Sequence, residues 1–178
     1  MTIYRHRVAS ALAAGLLLLG GAGIASAAPK AMAPTWVTTK GKTVNLTVIA
    51  DYTSAVSGFN FNGYGKGQLT ITVPKGDTVK VTFSNKASLP HSVQFTAYTK
   101  SLPMGAVMDA FKGSNSPNPT NGTVSGVTQK FSFVASKAGN YLMICAVPGH
   151  AQAGMWDTFV VSATAKTAKV TIGKPGTL

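Results

Sequence analysis

Glutamate is absent from this 178-residue sequence, and its acidic side chains are four aspartates, Asp51, Asp77, Asp109 and Asp157. Against them stand 16 Lys and Arg residues, for a formal net charge of +12. So few carboxylates mean that little charge is gained as the pH falls through the usual aspartate range near 4. A stability profile that stays flat down to about pH 3 is therefore expected. The basic residues are nearly all lysines placed singly rather than in runs, which argues for a solvated surface and against a nucleic-acid site. A charge of this size steers anionic partners and repels cations. Cysteine is nearly absent too: Cys145 has no partner in the chain, so no intramolecular disulfide framework exists. No window from Ala28 onward sustains an amphipathic helix, there is no internal repeat, and no second apolar run approaches membrane-spanning length.

The one long apolar stretch lies at the N-terminus. Arg5 and Arg7 precede the Ala/Leu-rich run Leu12–Leu19, and Ala25-Ser26-Ala27 is a small-residue cleavage site. Residues 1–27 read as a cleaved signal peptide, or alternatively as a retained anchor; Gly15, Gly20, Gly21 and Gly23 weaken the second reading. Cleavage leaves about 150 residues, the size of one domain with a substantial core. We divide them into an N-terminal extension, 28–42, and a single domain, 43–178. A secreted or periplasmic location is expected, or the outer face of the cytoplasmic membrane if the N-terminal segment is retained.

The remaining sequence reads as all-β. Val44–Val48, Leu69–Val73, Val79–Phe83, Lys130–Phe133 and Phe159–Val161 show alternation or β-branched enrichment, and Val170–Ile172 is a candidate last strand. Many short strands with Gly, Pro and Asn turns fit a sandwich or barrel of Greek-key type. Two stretches break the rhythm. Residues 56–67, VSGFNFNGYGKG, read as an ordered loop, and residues 101–126 read as a short helical turn followed by a long loop. An excursion of that length in a compact domain is more often functional than idle.

Cys145 opens the pattern C-x4-H-x4-M, with His150 and Met155, on a loop between two strands. Thiolate and thioether are soft ligands and imidazole is intermediate, a set that favours copper passing between Cu(I) and Cu(II). A trigonal site needs a second histidine, and outside the N-terminal segment the sequence offers His91, in SLPHSVQF. Each residue has a blander reading: buried cysteine and methionine as core filler, histidine as a surface or hydrogen-bonded group. The ordered spacing, the upstream histidine and the export signal would then all coincide by chance.

The segments YLMICAVPGHAQAGMW and HSVQF resemble the blue-copper cupredoxins, and within them the sulfocyanin and rusticyanin branch. FNFNG at 59–63, followed by GQLTITVPKGDTVKVTF, is similar to sulfocyanins in particular. The resemblance runs from Thr43 to Val161. It implies a Greek-key β-sandwich holding one type 1 copper, with His91, Cys145 and His150 as equatorial ligands and Met155 as the weak axial one. It further implies a one-electron carrier, not an enzyme, that serves redox proteins such as c-type cytochromes or a terminal oxidase in an exported respiratory chain. The carrier is expected to be a monomer that touches membrane only through a retained N-terminal segment. Copper oxidases and nitrite reductases use further histidine-rich sites, whereas His91 and His150 are already assigned. The alternative is a copper chaperone or storage protein of the cell envelope, a role that favours exposed, exchangeable ligand clusters. Ser92 stands where many cupredoxins carry Asn, which points to a potential toward the high end.

Overall fold

A computed structural model describes residues 35–178. The signal and anchor readings, and residues 28–34, lie outside the described residues. Among the described residues nine strands are formed: β1 (Val37–Lys40), β2 (Thr43–Ala50), β3 (Leu69–Pro74), β4 (Thr78–Asn85), β5 (Gln94–Ala97), β6 (Thr128–Val134), β7 (Gly139–Ile144), β8 (Trp156–Ser162) and β9 (Lys169–Ile172). They make two mixed sheets, ordered β1-β2-β4-β6 and β5-β7-β8-β3-β9. The first strand, β1, falls within the stretch read from sequence as an extension and pairs antiparallel with β2.

Period-two patterning explains the first sheet. Val44, Leu46, Val48 and Ala50 of β2 are buried, as are Val79, Val81 and Phe83 of β4. Parallel pairing sets Val44 against Val79 and Leu46 against Val81, so two apolar rows lie side by side facing the second sheet. Strand β7, interior to the second sheet, obeys a different rule. Tyr141 and Met143 face the core between the sheets, while Leu142 and Ile144 join a second cluster with Ala146, Ala151 and Trp156 against which Leu102 packs. A strand covered on both faces has no polar side to reveal it.

The helical turn expected within 101–126 is not formed. That excursion is instead tied to the β5 region by isolated bridges, Thr96 to Asp109, Gln94 to Asn115 and His91 to Thr123. Gln94 Nε2 also donates to Asp109 Oδ1 at 2.7 Å, and Thr96 Oγ1 to the Met108 carbonyl at 2.9 Å. Backbone demand met by a neighbouring strand leaves none for a helix. A tight turn occurs earlier, at Ala55–Gly58, with Val56 and Ser57 both at φ 52°, outside right-handed helical geometry. The alternating run that begins at Ser92 becomes strand only at Gln94, because His91 is engaged with Thr123 first.

One core group has a consequence for pH. Asp157 is fully buried; its Oδ1 accepts from the Leu69 amide at 2.9 Å, and Oδ2 has no partner. Burial pushes its pKa well up, opposed in part by that amide. A raised folded-state pKa means that the native state holds a proton which the unfolded chain releases. The contribution is complete below the unfolded pKa of about 4 and is lost as pH rises through the folded value. Asp157→Asn keeps the Leu69 bond and removes the buried charge. It should raise stability at pH 7 by about 1 kcal/mol or more, with the gain shrinking toward pH 4. Thermal unfolding of both proteins at the two pH values measures this; an equal gain at both would contradict it.

Candidate metal centre

Strands β4 and β7 run toward the same end of the sandwich and deliver the loops that carry His91 and Cys145. His91 is clamped by backbone bonds in both directions with Thr123: its N–H donates at 3.1 Å, and its carbonyl accepts at 2.6 Å. Gly122, at φ +75°, permits this clamp. A Cβ there would lie 2.9 Å from Val147 Cγ2 and 3.0 Å from the His91 nitrogen. The long excursion thus builds the wall behind His91.

The Cys145 loop closes on itself. The Cys145 amide donates to the Met155 carbonyl, and the Met155 amide to the His150 carbonyl, each at 3.0 Å. Both Cys145 and Met155 are fully buried in the core cluster, and His150 is half-buried. The Gly149 amide donates to the Met104 carbonyl at 2.8 Å, fastening the excursion to this loop as well.

Three ligand-type atoms converge. Cys145 Sγ lies 3.7 Å from His91 Nδ1 and 3.4 Å from His150 Nδ1, and the two nitrogens are 3.1 Å apart. The centre of such a triangle is about 2 Å from each corner, the length of a metal–imidazole bond. Two nitrogens and a thiolate sulfur at that separation fit a soft-to-intermediate cation such as copper. Of the four residues that the sequence singles out, the structure brings His91, Cys145 and His150 together and buries Met155 on the loop that carries Cys145 and His150.

Electrostatics favours the neutral imidazoles that a cation needs. Burial, and then the adjacent His150, push His91 down to about 4, and burial also lowers His150. Burial raises the Cys145 thiol, while backbone amides of Ser92 and Val147 oppose the rise. The Ser92 amide stands 3.3 Å from Sγ. Its hydroxyl accepts from the Ala146 amide at 2.9 Å and lies 3.8 Å from Sγ. Ser92 therefore fixes the cysteine loop to the His91 loop and directs donors at the sulfur, stabilising negative charge there. Asparagine cannot reproduce this set without shifting one loop. Ser92→Asn should lower the reduction potential; a redox titration that finds it unchanged would remove Ser92 from the account.

Sequence reasoning missed Phe59. Its ring meets His150 edge-on at 4.9 Å and His91 at 6.0 Å between centroids. It is held there by Asn60 and Asn62. Asn60 accepts from the amides of Tyr52 and Gly63 and donates to the carbonyls of Thr53 and Ala55. Asn62 brackets β2 by accepting from the Ile49 amide and donating to the Thr47 carbonyl. Alternating aromatic and Asn residues in FNFN were the available signal.

A two-sheet Greek-key sandwich with two histidines and a cysteine converging at one end defines a cupredoxin of the blue-copper class. Residues 31–172 match the family model described as "Sulfocyanin (SoxE) domain". The chain is 35% identical over 128 residues to sulfocyanin from Sulfolobus acidocaldarius, a match covering 68% of this chain and 64% of that one. It is 34% identical over 134 residues to rusticyanin from Acidithiobacillus ferrooxidans, covering 70% and 80%. The blue copper oxidase of Nitrosomonas europaea shares the fold, with a TM-score of 0.51 at 23% identity over 68% of this chain and 39% of that one. The chain belongs to the sulfocyanin family.

Proposed function

We propose that the protein is a one-electron carrier holding one type 1 copper, with His91, Cys145 and His150 as its equatorial ligands and Met155 as a weak axial one. The observation that carries this reading is the His91, Cys145, His150 triangle, whose centre lies at bonding distance from all three atoms. Copper bound there would supply reversible Cu(I)/Cu(II) chemistry. The chain's own part is to hold the ligands still. His91 is fixed by Thr123, Cys145 by Met155 and Ser92, and His150 by its loop and the Phe59 ring. Ligands that cannot move suit rapid electron exchange, because little has to rearrange between oxidation states. Half-buried His150 is the ligand nearest solvent and is the natural exit for the electron.

A non-enzymatic role, c-type cytochrome or terminal-oxidase partners, and a monomeric state complete the proposal. Export through cleavage after Ala27, or retention at the outer face of the membrane, is part of the same reading. So is a domain that begins in the extension with β1. Among the described residues no helix is long and apolar enough to cross a membrane. The test is a spectroscopic redox titration: one electron per copper, reversible over repeated cycles, supports the carrier. Irreversible loss of metal on reduction favours the chaperone. Met155→Leu should retain copper and raise the potential, since it removes a donor and adds apolar bulk; loss of copper from that variant would count against a weak axial role.

A further inference from the structure

The four aspartates are all withdrawn from the surface: Asp77 and Asp157 are buried, and Asp51 and Asp109 are partly so. Every lysine of the described residues is exposed. At the end of the sandwich remote from the metal centre, four connections meet. The Thr78 amide donates to the Lys42 carbonyl, Lys75 to Ser162, Gly76 to Ala135, and Ala168 to Thr39 Oγ1. These contacts gather Lys40, Lys42, Lys75, Lys137 and Lys166 around one pole. β4 and β7 begin there, and both end beside the metal ligands, roughly 20 Å away.

We propose that this lysine pole docks the protein onto an anionic lipid surface, leaving the metal end facing outward. The inference goes beyond the carrier reading and adds a membrane contact independent of the N-terminal segment. The lysines are not spent on the fold. The one carboxylate at the pole is the buried Asp77, 3.8 Å from Lys42 Nζ, and no other ion pair occurs among the described residues. Nor does the pole resemble a protein-binding face, which needs an apolar centre shielded from water. The large exposed apolar side chains Leu89, Met104 and Val124 lie on the loops around the metal centre, whereas toward the remote pole the exposed ones are Val134 and, past the end of β5, Tyr98, too few and too scattered to form such a centre. Lysine rather than arginine, spread over separate turns and the end of an edge strand, suits a diffuse negative field rather than a shaped anion. At about 20 Å the docked surface is more than two Debye lengths from the metal at physiological salt, so docking orients the centre without perturbing it.

The test uses the copper-loaded full chain and vesicles of phosphatidylglycerol with phosphatidylcholine, against phosphatidylcholine alone, by co-sedimentation. One variant combines Lys40→Gln, Lys42→Gln, Lys75→Gln and Lys137→Gln. A control of equal net charge combines Lys66→Gln, Lys86→Gln, Lys130→Gln and Lys174→Gln. Any contribution of residues 1–34 is common to all three proteins. The pole variant should lose at least about tenfold in affinity for the anionic vesicles, and the control less than about threefold. Equal losses in the two variants, or no loss in either, would overturn the proposal. So would lysine-dependent binding to soluble polyglutamate without binding to vesicles, which would assign the pole to an acidic polypeptide. Circular dichroism and the visible spectrum are recorded for each protein. Vesicle binding without a blue chromophore would sink only the copper reading, and a blue protein indifferent to anionic lipid would sink only this one.

Discussion

Cys145→Ser should abolish the blue absorption and weaken copper binding by more than about a hundredfold. Loss of an outer partner of a metal ligand already costs 10–100-fold, and here the strongest ligand itself is removed. A serine hydroxyl is a harder donor and stays protonated at neutral pH, so sulfur-to-copper charge transfer has no source. The surroundings are also built for sulfur, because the amides of Ser92 and Val147 point at a large, polarisable anion. Visible absorption and metal titration of the variant measure both effects. A serine variant that keeps the colour would contradict the ligand assignment.

Asn60→Ala should produce the largest loss of stability. Asn60 is fully buried and satisfies four backbone groups at once, the amides of Tyr52 and Gly63 and the carbonyls of Thr53 and Ala55. Alanine leaves them partnerless in a site where each unmet polar group costs about 1–3 kcal/mol. Some will find water, so a net loss on the order of 3–5 kcal/mol is expected, or a fall in Tm of roughly 10 °C. The neighbouring residue is Phe59, whose ring rests on His91 and His150, so slackening this loop also loosens the metal centre. A fall of less than about 1 kcal/mol would mean that the loop is held by something other than this amide.

What could be read in advance follows from the range of each interaction. Strands with one buried face, such as β2 and β4, announce themselves by alternation. The ligand loop announces itself because Cys145, His150 and Met155 are close in sequence and chemically unusual together. β7 was harder, since Tyr141 to Ile144 are buried on both sides and alternate with nothing. The four-residue edge strand β1, half-exposed Val-Thr-Thr-Lys, is defined by its pairing with β2 rather than by its own composition. His91 is legible because it and His150 are the histidines outside the N-terminal segment, whereas the clamp by Thr123 and the allowance made by Gly122 depend on contacts some 30 residues apart, which no local pattern encodes. Phe59 and Asn60 belong to the same category. The expectation of acid tolerance drawn from scarce carboxylates gains a specific agent in Asp157, whose burial favours the protonated form.

The most direct test of the central claim is the visible and electron paramagnetic resonance spectrum of the copper-loaded protein. The expected result is an intense blue thiolate-to-copper band, bleached by reductant and restored by oxidant, with the narrow copper hyperfine splitting of a thiolate-bound type 1 centre. A colourless complex with the wide splitting of ordinary tetragonal Cu(II), readily stripped by a chelator, would contradict it.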